Sequence, residues 1–140
     1  MRDDRAVVTT DDQVEIRNLV SRYNLAIDSA DVPGVVSTFV DGGIFEGETG
    51  TYVAPPGLED LVRGVAARAR EVGPLMHWVT NIDIVSSPTG ATMTAYLMVV
   101  AVGESAAVPF MVGTYHDDLV RTPEGWRFRH RRFRNLRPKG

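Results

Sequence analysis

A chain of 140 residues, 44% hydrophobic and 24% charged, is the size of one ordinary domain and is large enough to bury a core without covalent staples. It has no cysteine, which excludes thiol nucleophiles, disulfides, thiolate zinc sites and cysteine-ligated iron–sulfur clusters. The net charge of −3 conceals an asymmetry: all eighteen acids lie at or before Glu124, whereas seven of the fifteen basic residues follow Trp126.

The opening Met1-Arg2-Asp3-Asp4-Arg5 leads into no long apolar segment. Neither a secretory leader nor a membrane span is expected, and the chain reads as a soluble cytoplasmic protein with residues 1–10 as a flexible arm. Residues 11–30 then read as a helix, because Ile16, Leu19, Val20, Tyr23 and Ile27 form one apolar stripe. Asp11 or Asp12 is available as its cap, and Glu15 falls where a capping-box acid belongs. After Asp31 as N-cap and Pro33 in the first turn, a shorter helix is expected through Val35, Val36, Phe39 and Val40.

Asp41-Gly42-Gly43 breaks the helical pattern, and Ile44–Gly47 and Gly50–Val53 read as short strands stopped by Pro55-Pro56-Gly57. A third helix is expected over 58–71, with Leu58, Leu61, Val62, Val65, Ala66 and Ala69 on one side. Beyond Gly73-Pro74 the period becomes extended: Met76–Val85, Ala91–Val102, Phe110–Arg121 and Gly125–Arg134 are separated by turn chemistry, and 135–140 form a tail. Helices followed by a strand meander predict an α+β fold, with three N-terminal helices packed on one face of a curved, mainly antiparallel sheet.

The basic C-terminal segment, with Phe128 and Phe133 interleaved, invites a nucleic-acid reading. An acidic protein is repelled by phosphates, however, so an arginine-rich edge strand meeting an acidic body or a neighbouring subunit is the preferred expectation.

The chain has no glycine-rich phosphate loop, no Gly-x-Ser-x-Gly elbow and no closely spaced histidine pair. His116, Asp117 and Asp118 cannot converge on a metal from successive strand positions, so no metal is expected. Two residues keep chemical interest. Asp28 ends the first helix, where the macrodipole disfavours a negative charge, and Asp31 is already available to cap the next one. His77 opens an apolar strand beside Trp78, either as a core imidazole bonded to backbone or as a proton carrier. Sequence spacing does not link a helix end to a strand start.

The order Tyr23–Asp31 on the first helix, Phe39-Val40-Asp41, Met76–Asn81 in the sheet, Gly113–Asp117 and Gly125–Phe128 resembles the SnoaL-like branch of the nuclear-transport-factor-2-like superfamily. That branch includes scytalone dehydratase, bile-acid 7α-dehydratase, lindane dehydrochlorinase and small polyketide cyclases. The resemblance implies a cone in which a bent sheet wraps the helices around an apolar pocket. It also implies an Asp28–His77 catalytic dyad in that pocket, with Arg131 or its neighbour Arg132 as an anion-stabilising residue. Tyr23, Tyr115 and Trp78 are the substrate-binding candidates. Tyr23 reads equally as a core aromatic.

The implied activity is that of a cofactor-independent lyase, dehydratase-like, acting on a hydrophobic cyclic or polyketide-like molecule; an isomerase, a cyclase or a non-catalytic binding module are the alternatives. A homo-oligomer, dimer or trimer, is expected, with no nucleic-acid or membrane partner.

Overall fold

A computed structural model describes residues 7–137. Its elements are α1 (Thr10–Asp28), α2 (Val32–Val36), β1 (Phe39–Gly47), β2 (Gly50–Val53), α3 (Pro56–Val72), β3 (Leu75–Ser87), β4 (Gly90–Val102), β5 (Ala107–Thr122) and β6 (Gly125–Asn135). Six strands form one sheet in the order β2-β1-β6-β5-β4-β3, antiparallel except where β1 runs parallel to β6. The fold is α+β as expected, with three helices on a mixed, mostly antiparallel curved sheet.

The start of α1 differs from the expectation. Thr9 is the N-cap and Asp12 the reciprocating acid: the Asp12 N–H donates to Thr9 Oγ1 at 3.1 Å, and the Thr9 N–H donates to Asp12 Oδ2 at 2.8 Å. Glu15 serves a strand instead, accepting the Trp126 N–H at 3.0 Å. Thr9 and Thr10, assigned above to the leading arm, are therefore the cap and first residue of the helix. Residues 1–6 of that expected arm and positions 138–140 of the expected tail lie outside the described residues. Ile16, Leu19, Val20, Tyr23 and Ile27 are all buried, so the apolar stripe faces the sheet.

The second helix is shorter than its apolar spacing suggests. It ends at Val36, and the Thr38 hydroxyl donates back to the Val35 carbonyl at 2.6 Å. Phe39 turns into β1 and pairs with Phe128, the two rings standing 5.3 Å apart. The glycines expected to separate helix from strand form an irregularity within β1, where the register against β6 shifts between Phe39 and Ile44. Gly42 takes φ of 77°, a backbone that L side chains rarely adopt.

Bulges bend the long strands. Register slips between Thr80 and Asp83 in β3, between Val99 and Val100 in β4 and between Asp118 and Leu119 in β5, and such slips add local twist and curvature. The concave face takes α1, which packs on β3 and β6, and the core runs from Ile16 and Leu19 to Met93, Leu119, Trp126 and Phe128. On the other face Trp78, Met98 and Val112 stand in register across β3, β4 and β5.

The arginine-rich segment is an interior strand rather than an edge. β6 lies between β1 and β5, and parallel pairing with β1 gives it two neighbours. Its arginines meet acids of those neighbours: Arg131 faces Asp117, and Arg132 lies 3.4 Å from Asp118 and 4.0 Å from Glu46.

Candidate active site

Asp28 is the last residue of α1, and His77 is the third of β3. The helix packs on this strand, which brings them together although 49 positions separate them. His77 Nδ1 lies 2.6 Å from Asp28 Oδ1. The same carboxylate accepts the His77 backbone N–H at 3.1 and 3.2 Å, so it grips both the ring and the chain that carries it. A carboxylate acceptor selects the tautomer with the proton on Nδ1 and leaves Nε2 as the basic nitrogen.

His77 lines a cavity of about 540 Å³. Its walls come from Tyr23 and Ile27 of α1, Leu61, Gly64 and Val65 of α3, Phe45 of β1, Leu97 and Val99 of β4, and Tyr115 of β5. Gly64 has open space where a Cβ would stand, so a residue that weakens a helix interior leaves the cavity its room. The imidazole side chain is 8% exposed and lines the cavity, while the Asp28 side chain behind it is 20% exposed.

Tyr23 and Tyr115 are the other titratable groups on these walls that are fully sealed from solvent. Burial above all pushes the Tyr115 phenol up to about 12, with the charges of Asp117 and Asp28 adding to the effect and Arg131 opposing it. Tyr23 is likewise raised, chiefly by burial. Both phenols are neutral hydrogen-bond donors at neutral pH.

Arg131 does not line the cavity. It is fully buried beneath the aromatic wall, its guanidinium carbon 3.5 Å from the ring centre of Tyr115, 4.4 Å from Phe128 and 4.5 Å from Tyr23. The Arg131–Arg132 alternative resolves in favour of Arg131 as the inward side chain, while Arg132 is part-exposed. The cation reaches a cavity ligand only through the rings it underlies.

Its partner is Asp117, directly opposite in the β5–β6 register and also fully buried, with Nε 3.2 Å from Oδ1. Among the described residues none of the three Arg131 nitrogens and neither Asp117 oxygen makes a hydrogen bond. Burial pushes the Asp117 carboxyl up to about 7, against the pull of Arg131. Asp117 is not among the site residues expected from the sequence. The signal that could have found it is its place two residues after Tyr115, on the same inward face of an alternating strand.

Trp78 is a correction. It is 49% exposed on the opposite face of β3 from His77, because consecutive residues of an extended strand point to opposite sides. Met98 and Val112 share that outer face, and Trp78 has no place on the cavity wall.

Residues 8–132 match the SnoaL-like domain, nearly the whole described chain. The chain belongs to the SnoaL-like family. No curated protein matches the sequence of this SnoaL-like domain. Solved structures do. A variant of Rv3472, a protein of unknown function from Mycobacterium tuberculosis, is 26% identical with a TM-score of 0.79 over 93% of this chain and 79% of that one. ActVI-ORFA from Streptomyces coelicolor is 22% identical with a TM-score of 0.80, covering 90% of this chain and 98% of its own. LinA is 20% identical with a TM-score of 0.76, over 91% and 87%. At these identities the last two speak for the shared SnoaL-like fold. Among the described residues no helix is long and apolar enough to cross a membrane.

Proposed function

We propose that this SnoaL-like domain is a cofactor-independent lyase of the dehydratase type, acting on a hydrophobic cyclic or polyketide-like molecule held in the cavity. The observation that carries the reading is the 2.6 Å contact between Asp28 and His77 Nδ1, with the imidazole on the wall of an otherwise largely apolar chamber. His77 Nε2 removes a proton from a carbon next to a carbonyl. The electron pair left behind is held as an enolate, whose oxygen takes hydrogen bonds from Tyr115 and Tyr23. In a low-dielectric site such donors act strongly on developing charge. The enolate then expels a β-hydroxyl, which leaves as water with the proton that His77 carries, so the base returns neutral and the substrate has lost one water.

Asp28 holds the ring in the productive tautomer and stabilises the imidazolium formed midway. Arg131, beneath the rings of Tyr115 and Tyr23, favours negative charge on the far side of the phenols and makes them better donors. Membership of a family that includes dehydratases, isomerases and cyclases supports enzymatic use of the cavity.

The test is a panel of cyclic β-hydroxy ketones incubated in heavy water and followed by mass spectrometry, with wild type beside His77→Ala. Loss of water in the wild type, slowed by about 10²–10⁴-fold in the variant, is the expected result. Equal turnover by the two proteins would sink the mechanism. Deuterium gain without loss of water would move the reaction to isomerisation by the same base.

A further inference from the structure

Beside the cavity lies a second depression of about 420 Å³. The two share Arg68, Phe110, Met111, Asn135 and Arg137, and the rest of the outer groove is Pro109, Val112 and Leu136. Among the described residues its lining thus holds two guanidinium groups, the Asn135 amide and no acid, beside five apolar side chains. The inner chamber adds to the shared arginines the His77 imidazole, the phenols of Tyr23, Tyr52 and Tyr115 and the Glu48 carboxylate, among aliphatic and aromatic walls.

Arg68 projects from α3 one turn beyond Gly64 and lies over the Phe110 ring at 5.1 Å. Its Nη1 pairs with Glu71 at 2.8 Å, but both side chains are more than half exposed, and exposed pairs of this kind are held weakly. Glu48, the acid at the rim of the inner chamber, is occupied by the Asn135 N–H at 3.1 Å.

From this juxtaposition we propose that the ligand is a monocarboxylic acid of two parts, with an apolar body in the inner chamber against His77 and a carboxylate arm in the outer groove recognised by Arg68 and Arg137. The inference names the substrate class of the site and rests on the reading that the inner chamber receives the reacting body. Guanidinium forks match a carboxylate in geometry. Two cations, one shared with Glu71, suit a monoanion better than a phosphate dianion. An acid too short to span both compartments gains nothing from the arginines, so the preference depends on length.

Isothermal titration calorimetry with phenylacetate, phenylbutanoate and phenylhexanoate, each beside its alcohol, tests this on the full chain. The longer acids should bind about tenfold more tightly than their alcohols, the shortest pair should not differ, and raised salt should narrow the gap. In an Arg68→Gln/Arg137→Gln double variant, checked for folding by circular dichroism, the acid advantage should vanish while alcohol affinity stays unchanged. Equal affinity of acids and alcohols in the wild type, an acid advantage that survives the double substitution, or tighter binding of phenylhexyl phosphate would each overturn the assignment and leave the chamber reading intact. Failure of every acid and alcohol to bind would bring down both.

Discussion

The two ends of α1 each carry an aspartate, and they do opposite things. Asp12 sits in the first turn, where the helix dipole favours a negative charge, and every contact around it is satisfied: the Thr9 N–H, the Trp126 indole N–H at 3.1 Å and Arg121 at 2.8 Å. Those hydrogen bonds, that from the Thr9 backbone foremost, hold its carboxyl down at about 2 against the opposing effect of burial. Asp28 sits in the last turn, where the dipole opposes it, and its only side-chain partner among the described residues is an imidazole on a cavity wall. One acid spends its charge on fastening the helix to β6; the other keeps its charge pointed at a group that can move a proton.

The comparison breaks most visibly through Asp28→Asn. The amide can still accept the His77 N–H, but as an acceptor for the ring it is weaker and bears no charge to stabilise an imidazolium. Turnover should fall by about 10²-fold or more, whereas stability should change by less than about 0.5 kcal/mol, because removing a negative charge from a helix C-terminus is mildly favourable. Steady-state kinetics beside a urea melt separates the two. A loss of stability without loss of turnover would make Asp28 a tertiary clamp like Asp12.

Asp12→Ala should do the reverse. It strips the cap from α1 and leaves the Trp126 indole N–H buried without an acceptor, at a cost of about 2–3 kcal/mol, while the folded fraction turns over at the wild-type rate. Asp12 also has a pH signature. Its folded value lies below that of an unfolded aspartate, so its stabilisation is complete above about pH 4 and drains away as pH falls toward 2. Melts of wild type and Asp12→Asn should therefore converge across that window, and parallel curves would count against the hydrogen-bonded carboxylate.

Much of this was legible in the chain itself. The stripe from Ile16 to Ile27, the strand runs and the cap at Asp31 follow from periodicity and turn chemistry, and the strand boundaries fall within a few residues of those expected. The misassigned pieces are those that tertiary contact decides. Phe39 continues an apolar helical spacing, yet joins β1 because its ring packs against Tyr23 and Phe128. Glu15 has the position of a capping acid, yet accepts from β6, while Asp12 caps the helix and binds the Trp126 indole together. The Asp28–His77 contact was invisible to spacing and entered only through family resemblance. Strand alternation from His77 by itself places Trp78 on the outer face of β3.

The smallest effect sharpens what kind of clamp the Asp12 end is. Arg121 pairs with Asp12 at 2.8 Å and lies 4.8 Å over the Trp126 ring, but its side chain is 53% exposed. Water and salt screen such a cation, so Arg121→Gln should cost less than about 1 kcal/mol, and less still in high salt. The Trp126 indole N–H is buried and the Thr9 N–H bond part-buried, and the fastening of α1 should survive on them alone. A cost equal to that of Asp12→Ala would invert this order: the helix start would then be held chiefly by charge pairing, and the contrast with Asp28 would become one of partner rather than of role.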